Sequence, residues 1–264
     1  MSDKIAETTF PGAAELFSLA GRTALITGAS GGLGLAFAHM LHGAGAHVIL
    51  AARNEARLAA AAAALGERAE AARLDVTDDA SIEACLAGLA ARGVVADIIV
   101  NNAGIATPKP AIEQSAADWD AVVAVNLRGA FLVARAAARR LITAKRPGSI
   151  INIASILGIR VGSHLASYTA AKAGLLHLTR SLAVEFARHQ IRVNALAPGY
   201  IETDMNSAFF ATEAGQAMIR RIPQRRLGTP RDLAGPLLLL ASDAGAHMTG
   251  ATIVVDGGHT VNSV

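Results

Sequence analysis

The stretch RTALITGASGGLGLAF, residues 22–37, runs through apolar and β-branched residues to Thr27 and then meets glycines at 28, 32 and 34 before an apolar helical pattern. Glycine permits the tight turn that such a strand-to-helix passage needs and lets another group approach the backbone closely. The N–H groups and positive dipole at the start of the helix suit a pyrophosphate. The spacing is not the G-x-G-x-x-G of the common dinucleotide fingerprint, so by itself the turn reads almost equally as a glycine-rich connection with no ligand. Its place at the first strand-to-helix turn favours the binding reading.

Downstream, short β-rich runs alternate with longer helical patterns. HVILAAR (47–53), AARLDV (71–76), DIIVNNAG (97–104), GSIINIAS (148–155), IRVNALAPG (191–199) and ATIVVDGG (251–258) read as strands, separated by runs such as NEARLAAAAAALGERA (54–69) and DWDAVVAVNLRGAFLVARAAARRLI (118–142). With the first strand this predicts an α/β fold: a single-domain, Rossmann-type, doubly wound parallel sheet of about seven strands with helices on both faces. The domain spans residues 19–264, and residues 1–18 read as an N-terminal arm. The segment 200–226 lacks a clean period. An irregular insertion after a strand's carboxyl end is placed to cover a ligand crevice, here the substrate.

Composition excludes several classes. Of 264 residues, 52% are hydrophobic, enough for a substantial core, and the net charge is only +3. The basic residues are spread out except for Arg135, Arg139, Arg140, Lys145 and Arg146, which gather where cations complement a helix C-terminus. No basic stripe with interleaved aromatics suggests nucleic acid. One cysteine, Cys85, forbids an internal disulfide, and the first 21 residues lack an apolar signal core. Together these predict a cytoplasmic protein. No apolar run approaches the roughly 18 residues that span a bilayer, so no membrane partner is expected.

Chemistry enters with ASYTAAKAGLLHLTRSLAVEF, residues 166–186. Tyr168 and Lys172 lie four apart and share a helix face. A neighbouring ammonium favours the phenolate and moves an ordinary pKa of about 10 toward neutrality. Such a phenol can exchange a proton with a substrate oxygen. Taken alone, the pair also reads as a core tyrosine with a lysine snorkelling to water.

With the glycine turn, NNAG at 101–104 and Tyr168-x-x-x-Lys172 in order, the chain resembles the short-chain dehydrogenase/reductase family from about residue 19 to 258. The resemblance implies a catalytic set of Asn126, Ser155, Tyr168 and Lys172. It implies cofactor contacts from Gly28, Ser30, Gly32, Leu33 and Gly34 in the turn and from Asp75 and Val76 at the adenine. Asn102, Ala103 and Gly104 would follow in the NNAG stretch. Tyr168, Lys172, Pro198, Gly199, Ile201 and Thr203 would lie beside the nicotinamide. Read as chemistry, Tyr168 supplies the proton, Ser155 a second hydrogen bond to the oxygen, and Lys172 tunes the phenol and holds the ribose. Asn126 would anchor a water. Ser155 also reads as a turn cap, and Asn126 as a group satisfying buried backbone. No metal enters this reading.

The second strand ends in Ala52-Arg53, where an acid would bind a ribose 2′-OH and an arginine accommodates a 2′-phosphate, so NADP(H) is favoured over NAD(H). Arg53 is thus a further cofactor residue. The walls of the substrate site are expected from Ser155, Ile156, Leu157, Tyr168, Met205 and Phe209, an apolar set. Arg160 or His164 is available to hold an anionic group. GYIETDM, RLGTPRDLAGPLLLLASD and VVDGG are similar to the 3-oxoacyl-carrier-protein reductases and to sugar-acid dehydrogenases such as gluconate 5-dehydrogenase. The expected activity is NADP-dependent interconversion of a small-molecule ketone and secondary alcohol. A sugar-acid dehydrogenase is the alternative, and an inactive NADP-sensing regulator the alternative of another class. The resemblance also implies a homotetramer.

Overall fold

The structure is a computed structural model that describes residues 11–203 and 207–262. After a one-turn helix, Ala13–Leu16, the chain alternates strands and helices. These are β1 (Thr23–Thr27), α1 (Gly32–Gly43), β2 (His47–Ala52), α2 (Glu55–Leu65), β3 (Ala69–Arg73), α3 (Asp79–Ala91) and β4 (Ile98–Asn101). Then come α4 (Ala116–Thr143), β5 (Gly148–Ile153), α5 (Ala166–Phe186), β6 (Ile191–Pro198), the short α6 (Ser207–Phe210) and α7 (Glu213–Ile219), α8 (Ala234–Ala241) and β7 (Thr252–Val255). Seven strands form one parallel sheet in the order β3-β2-β1-β4-β5-β6-β7, the doubly wound arrangement read from the sequence. Because β1 pairs with both β2 and β4, the connections reverse there, and a crevice opens at the strands' carboxyl ends.

Alternation along each strand divides the core. Leu25, Ile49, Ile99, Ile150 and Val193 face α3, α4 and α5 through Ile82, Leu86, Leu132, Leu141 and Leu182. Their neighbours Ala24, Ile26, Val48, Leu50, Ile98 and Val100 face α1, α2 and α8 through Phe37, Leu41, Leu58, Leu237 and Leu240. Apolar residues on both strand faces are what a sheet covered on both sides requires.

Three expectations need correction. The third strand starts at Ala69, ahead of the run read as 71–76, so Asp75 and Val76 fall in the turn that follows it. Helix α4, at 28 residues, is after all long and apolar enough to cross a membrane by composition. In this fold 56% of its most apolar window is buried, and it serves as a core helix. The arginines near its end do more than meet the helix dipole. Arg135 and Arg140 pair with Asp79 (2.6 Å) and Glu83 (3.0 Å) of α3, and Arg146 pairs with the buried Asp97 at 2.9 Å.

The switch point is stapled. Thr27, 1% exposed at the end of β1, accepts from the backbone N–H groups of Asn102 (3.0 Å) and Ala103 (3.1 Å) through its hydroxyl. The same hydroxyl donates to Val100 O at 3.3 Å, and Asn102 Nδ2 donates back to Thr27 O at 2.9 Å. Removing the hydroxyl without changing shape strands the Ala103 N–H, while Asn102 N keeps its bond to Val100 O at 3.0 Å. Thr27→Val should therefore lower stability by about 1–3 kcal/mol, read as a shift of the denaturation midpoint in urea. A midpoint unchanged from that of the parent protein would remove the staple from the account.

Candidate active site

A cleft follows the carboxyl edge of the sheet in two adjoining lobes of about 550 and 880 Å³ that share Gly28, Ser30, Arg57, Ala103, Gly104 and Ile105. Its floor is the β1–α1 turn. Gly28 has φ +69°, and a Cβ there would lie 2.9 Å from Ala103 Cα; one at Gly34 would lie 2.6 Å from Asn102 Nδ2. The turn is thus pressed onto the end of β4, where a side chain has no room. Gly32 opens α1 with φ +54° and open space around it, and no side chain caps the helix at Gly31. The first N–H groups of α1 are left for an anion, which is how the turn fits a dinucleotide.

The smaller lobe is lined by Ala52, Arg53, Asn54, Arg57, Asp75 and Val76, among others. Asp75 Oδ1 accepts from Thr77 N (2.9 Å) and Thr77 Oγ1 (2.7 Å). The Thr77 backbone bond, above all, holds the Asp75 carboxyl below its ordinary pKa, and its second oxygen suits an adenine amine.

The larger lobe brings together Ser155, Tyr168 and Lys172 with Leu33, Asn102, Pro198, Ile201 and Thr203. Lys172 is 4% exposed and donates from Nζ to Ile153 O at 2.7 Å. Its Nζ lies 5.6 Å from the centroid of the Tyr168 ring. Ser155 Oγ accepts from Leu157 N at 3.1 Å, so its cap role is real, and its hydroxyl also hydrogen-bonds the Tyr168 phenol. Asn126 lies in a π-helical stretch of α4, Ala124–Gly129. It clasps Ile105, accepting from its N–H and donating to its carbonyl at 2.8 Å each. Each end of the amide is engaged, so Asn126 satisfies buried backbone, as one of its two readings expects.

Other expected residues lie elsewhere. Ile156, 4% exposed, is buried in the short helical turn capped by Ser155, and Leu157 packs beside Gly162. Phe209, 45% exposed, stacks edge-on against Phe210 and does not line the cleft. Gly199 packs on Asp256, and Arg160 and His164 are exposed. Met205 is outside the described residues. In place of the missing walls, Ile105, Ala106, Ile153, Ala154 and Ile201 supply apolar surface. Thr27, Arg57 and Ile105 were not singled out by the sequence reading. Only Arg57 had a signal, a second arginine four residues beyond Arg53.

The model of the family described as enoyl-(acyl carrier protein) reductase matches residues 28–260. A 3-oxoacyl-[acyl-carrier-protein] reductase of Rickettsia bellii is 41% identical over 92% of this chain and 98% of that protein. A 2-dehydro-3-deoxy-D-gluconate 5-dehydrogenase of Escherichia coli is 40% identical over 92% and 96%. Among solved structures, a gluconate 5-dehydrogenase from Burkholderia cenocepacia in complex with NADP and tartrate superposes with a TM-score of 0.91 at 38% identity, covering 96% of this chain and all of that one. The chain belongs to the short-chain dehydrogenase/reductase family. It is a nicotinamide-dependent oxidoreductase acting between CH–OH and C=O.

The electrostatics of this dehydrogenase/reductase site depart from the expectation in one respect. Burial pushes the Tyr168 phenol above its ordinary pKa, and the hydrogen bond from Ser155 only partly offsets it. Burial also lowers Lys172, to about 8. The lysine releases its proton at about 8 when folded and at about 10.5 when unfolded. Between those values the unfolded chain binds more protons, and this residue's contribution to stability rises with pH. In denaturant titrations, the parent protein should therefore gain stability relative to Lys172→Met from pH 8 to 10. A difference that is flat across that range would mean the ammonium is not held in a desolvated site.

Proposed function

We propose that the enzyme reduces a ketone or 3-oxoacyl group with NADPH, Tyr168 giving the proton to the carbonyl oxygen. The observation that carries this reading is that Ser155, Tyr168 and Lys172 line the same cleft as the glycine turn and the uncapped start of α1. When bound, the reduced nicotinamide supplies a hydride. Ser155, with its acceptor side occupied by Leu157 N, gives its hydrogen to the same oxygen. Lys172, fixed by Ile153 O, steadies the phenolate left behind and offers its remaining N–H groups to ribose hydroxyls. Asn126 acts through Ile105, whose backbone it holds at the cleft wall. A preference for NADPH is supported by Ala52 and Arg53 in the smaller lobe and by the NADP in the solved Burkholderia relative.

The apolar lining near Tyr168 favours hydrophobic or aryl ketones and 3-oxoacyl esters, since sugar hydroxyls there would want partners. The similarity to gluconate 5-dehydrogenases supports oxidation of a sugar acid as the second reading. The proposal includes a cytoplasmic homotetramer. Cys85 is a free thiol, and exposed apolar residues at Ile142, Val184 and Val254 suit burial between copies.

Tyr168→Phe should keep NADPH affinity while turnover falls by roughly three orders of magnitude or more, because the hydroxyl acts in the transition state. Near-normal turnover would assign the proton to another group. In a screen of both substrate classes, each in its favoured direction, the hydrophobic ketones should show the higher kcat/KM. A lead of about tenfold or more for sugar acids would replace the first reading by the second. Sedimentation should show a tetramer, and a monomer at micromolar concentration would remove that part.

A further inference from the structure

Tyr168 stands on a helix end that has little of its own to hold it. α5 opens at Ala166 after Leu165, with no side chain capping its first N–H groups and no acid in its first turn, and Tyr168 lies in that turn. Helix ends without a cap fray. His164, just before the helix, has φ +63°, a left-handed conformation that a residue with a side chain keeps only where its surroundings impose it. Both features are held from another part of the chain. Lys109 N donates to His164 O at 2.8 Å, and Gln114 Nε2 donates to Ser167 Oγ, also at 2.8 Å. Ser167 is 1% exposed and directly precedes Tyr168. The segment that makes these bonds is itself anchored. Asn126 grips it at Ile105, Lys109 pairs with Asp118 at 3.0 Å, and Ser115, next to Gln114, forms a capping box with Asp118 at the start of α4. Gln114 is thus a fixed arm set against a turn that lacks a cap.

We infer that Gln114 is a positioning residue: through Ser167 it holds the first turn of α5, and so keeps the Tyr168 hydroxyl where Ser155 and a substrate oxygen can meet it. The inference rests on the reading of Tyr168 as proton donor and adds the group that aims it. A bond at the Ser167 hydroxyl restrains the backbone from which the phenol projects one residue later. The phenol's partner, Ser155, is carried by a different element, the turn after β5, so a shift of the α5 start changes their alignment. A misplacement of about 1 Å at a reacting group costs up to about 100-fold in rate. Gln114 itself does not line the cleft, and its influence passes through Ser167.

Gln114→Leu, apolar and of similar size, tests this by two measurements on the full chain. Hydrogen exchange read by mass spectrometry should show the amides of residues 166–170 exchanging about fivefold faster, as loss of one hydrogen bond implies, with the later turns of α5 unchanged. Turnover is followed with ethyl acetoacetate and NADPH, and with gluconate and NADP in the opposite direction. In whichever reaction the parent protein catalyses, kcat should fall roughly tenfold with cofactor affinity unchanged and a larger solvent isotope effect, since the proton transfer alone is misaligned. Ser167→Ala should do the same, and the double variant should be no slower than either single one. First-turn exchange that matches the parent protein would overturn the inference whatever the substrate. So would an unchanged kcat, losses that add in the double variant, or cofactor affinity that falls along with kcat. Near-normal turnover in Tyr168→Phe, beside faster first-turn exchange in Gln114→Leu, would instead remove the proton-donor reading, and the role given to Gln114 with it.

Discussion

Everything at the cleft depends on the close approach of the β1–α1 turn to the end of β4. Gly28 and Gly34 allow the two segments to meet with no side chain between them, and Thr27 and Asn102 fasten the contact with reciprocal hydrogen bonds. A parallel sheet leaves its strand ends ragged, and at the switch point nothing in the ladder itself ties β1 to the chain beyond β4. The staple does so, and it fixes α1 so that its N-terminus opens on the same space as residues 102–105. An anion held by the helix then lies beside the chemical groups carried on β5 and α5.

A second constraint works from the opposite wall. Lys172 is buried without a carboxylate, a placement that ordinarily disfavours its charged form, and a backbone carbonyl of β5 gives its ammonium a partner. A Cβ on Gly104 would lie 3.3 Å from Asn126 Oδ1 and 3.6 Å from Lys172 Nζ, so β4, α4 and α5 converge within a few ångströms. The π-helical stretch at Ala124–Gly129 turns Asn126 toward Ile105, at a place where a regular helix would present a different face. The phenol pays for this crowding: burial raises its pKa, and the hydrogen bond with Ser155 offsets that only in part.

The seven strands were legible because buried parallel strands are short apolar runs between helices with turn residues at their ends. The third strand was the least clear. AEAAR is polar and half exposed at the sheet edge, so hydrophobic patterning drew the reading toward Leu74 and Val76, which are buried but lie past the strand. The substrate walls were misjudged for a related reason. Ile156 follows Ser155 and so reads as a wall, but the serine caps a tight turn that folds the isoleucine into the core. Adjacency in sequence to a reacting group does not fix which way the next side chain points.

By itself, the sequence determined the order of elements, the glycine turn, the Tyr168–Lys172 pair one helical turn apart and the basic end of the second strand. Each of these is local, set by periodicity, backbone freedom or spacing within a few residues. Only the tertiary structure decided what long-range packing controls. It placed Ile105, which reaches the cleft because Asn126, 21 residues away, grips its backbone. It put Arg57 on both lobes of the cleft. It also reversed the expected shift of the Tyr168 phenol, because desolvation is a property of the assembled fold and cannot be read from the spacing of two residues on a helix.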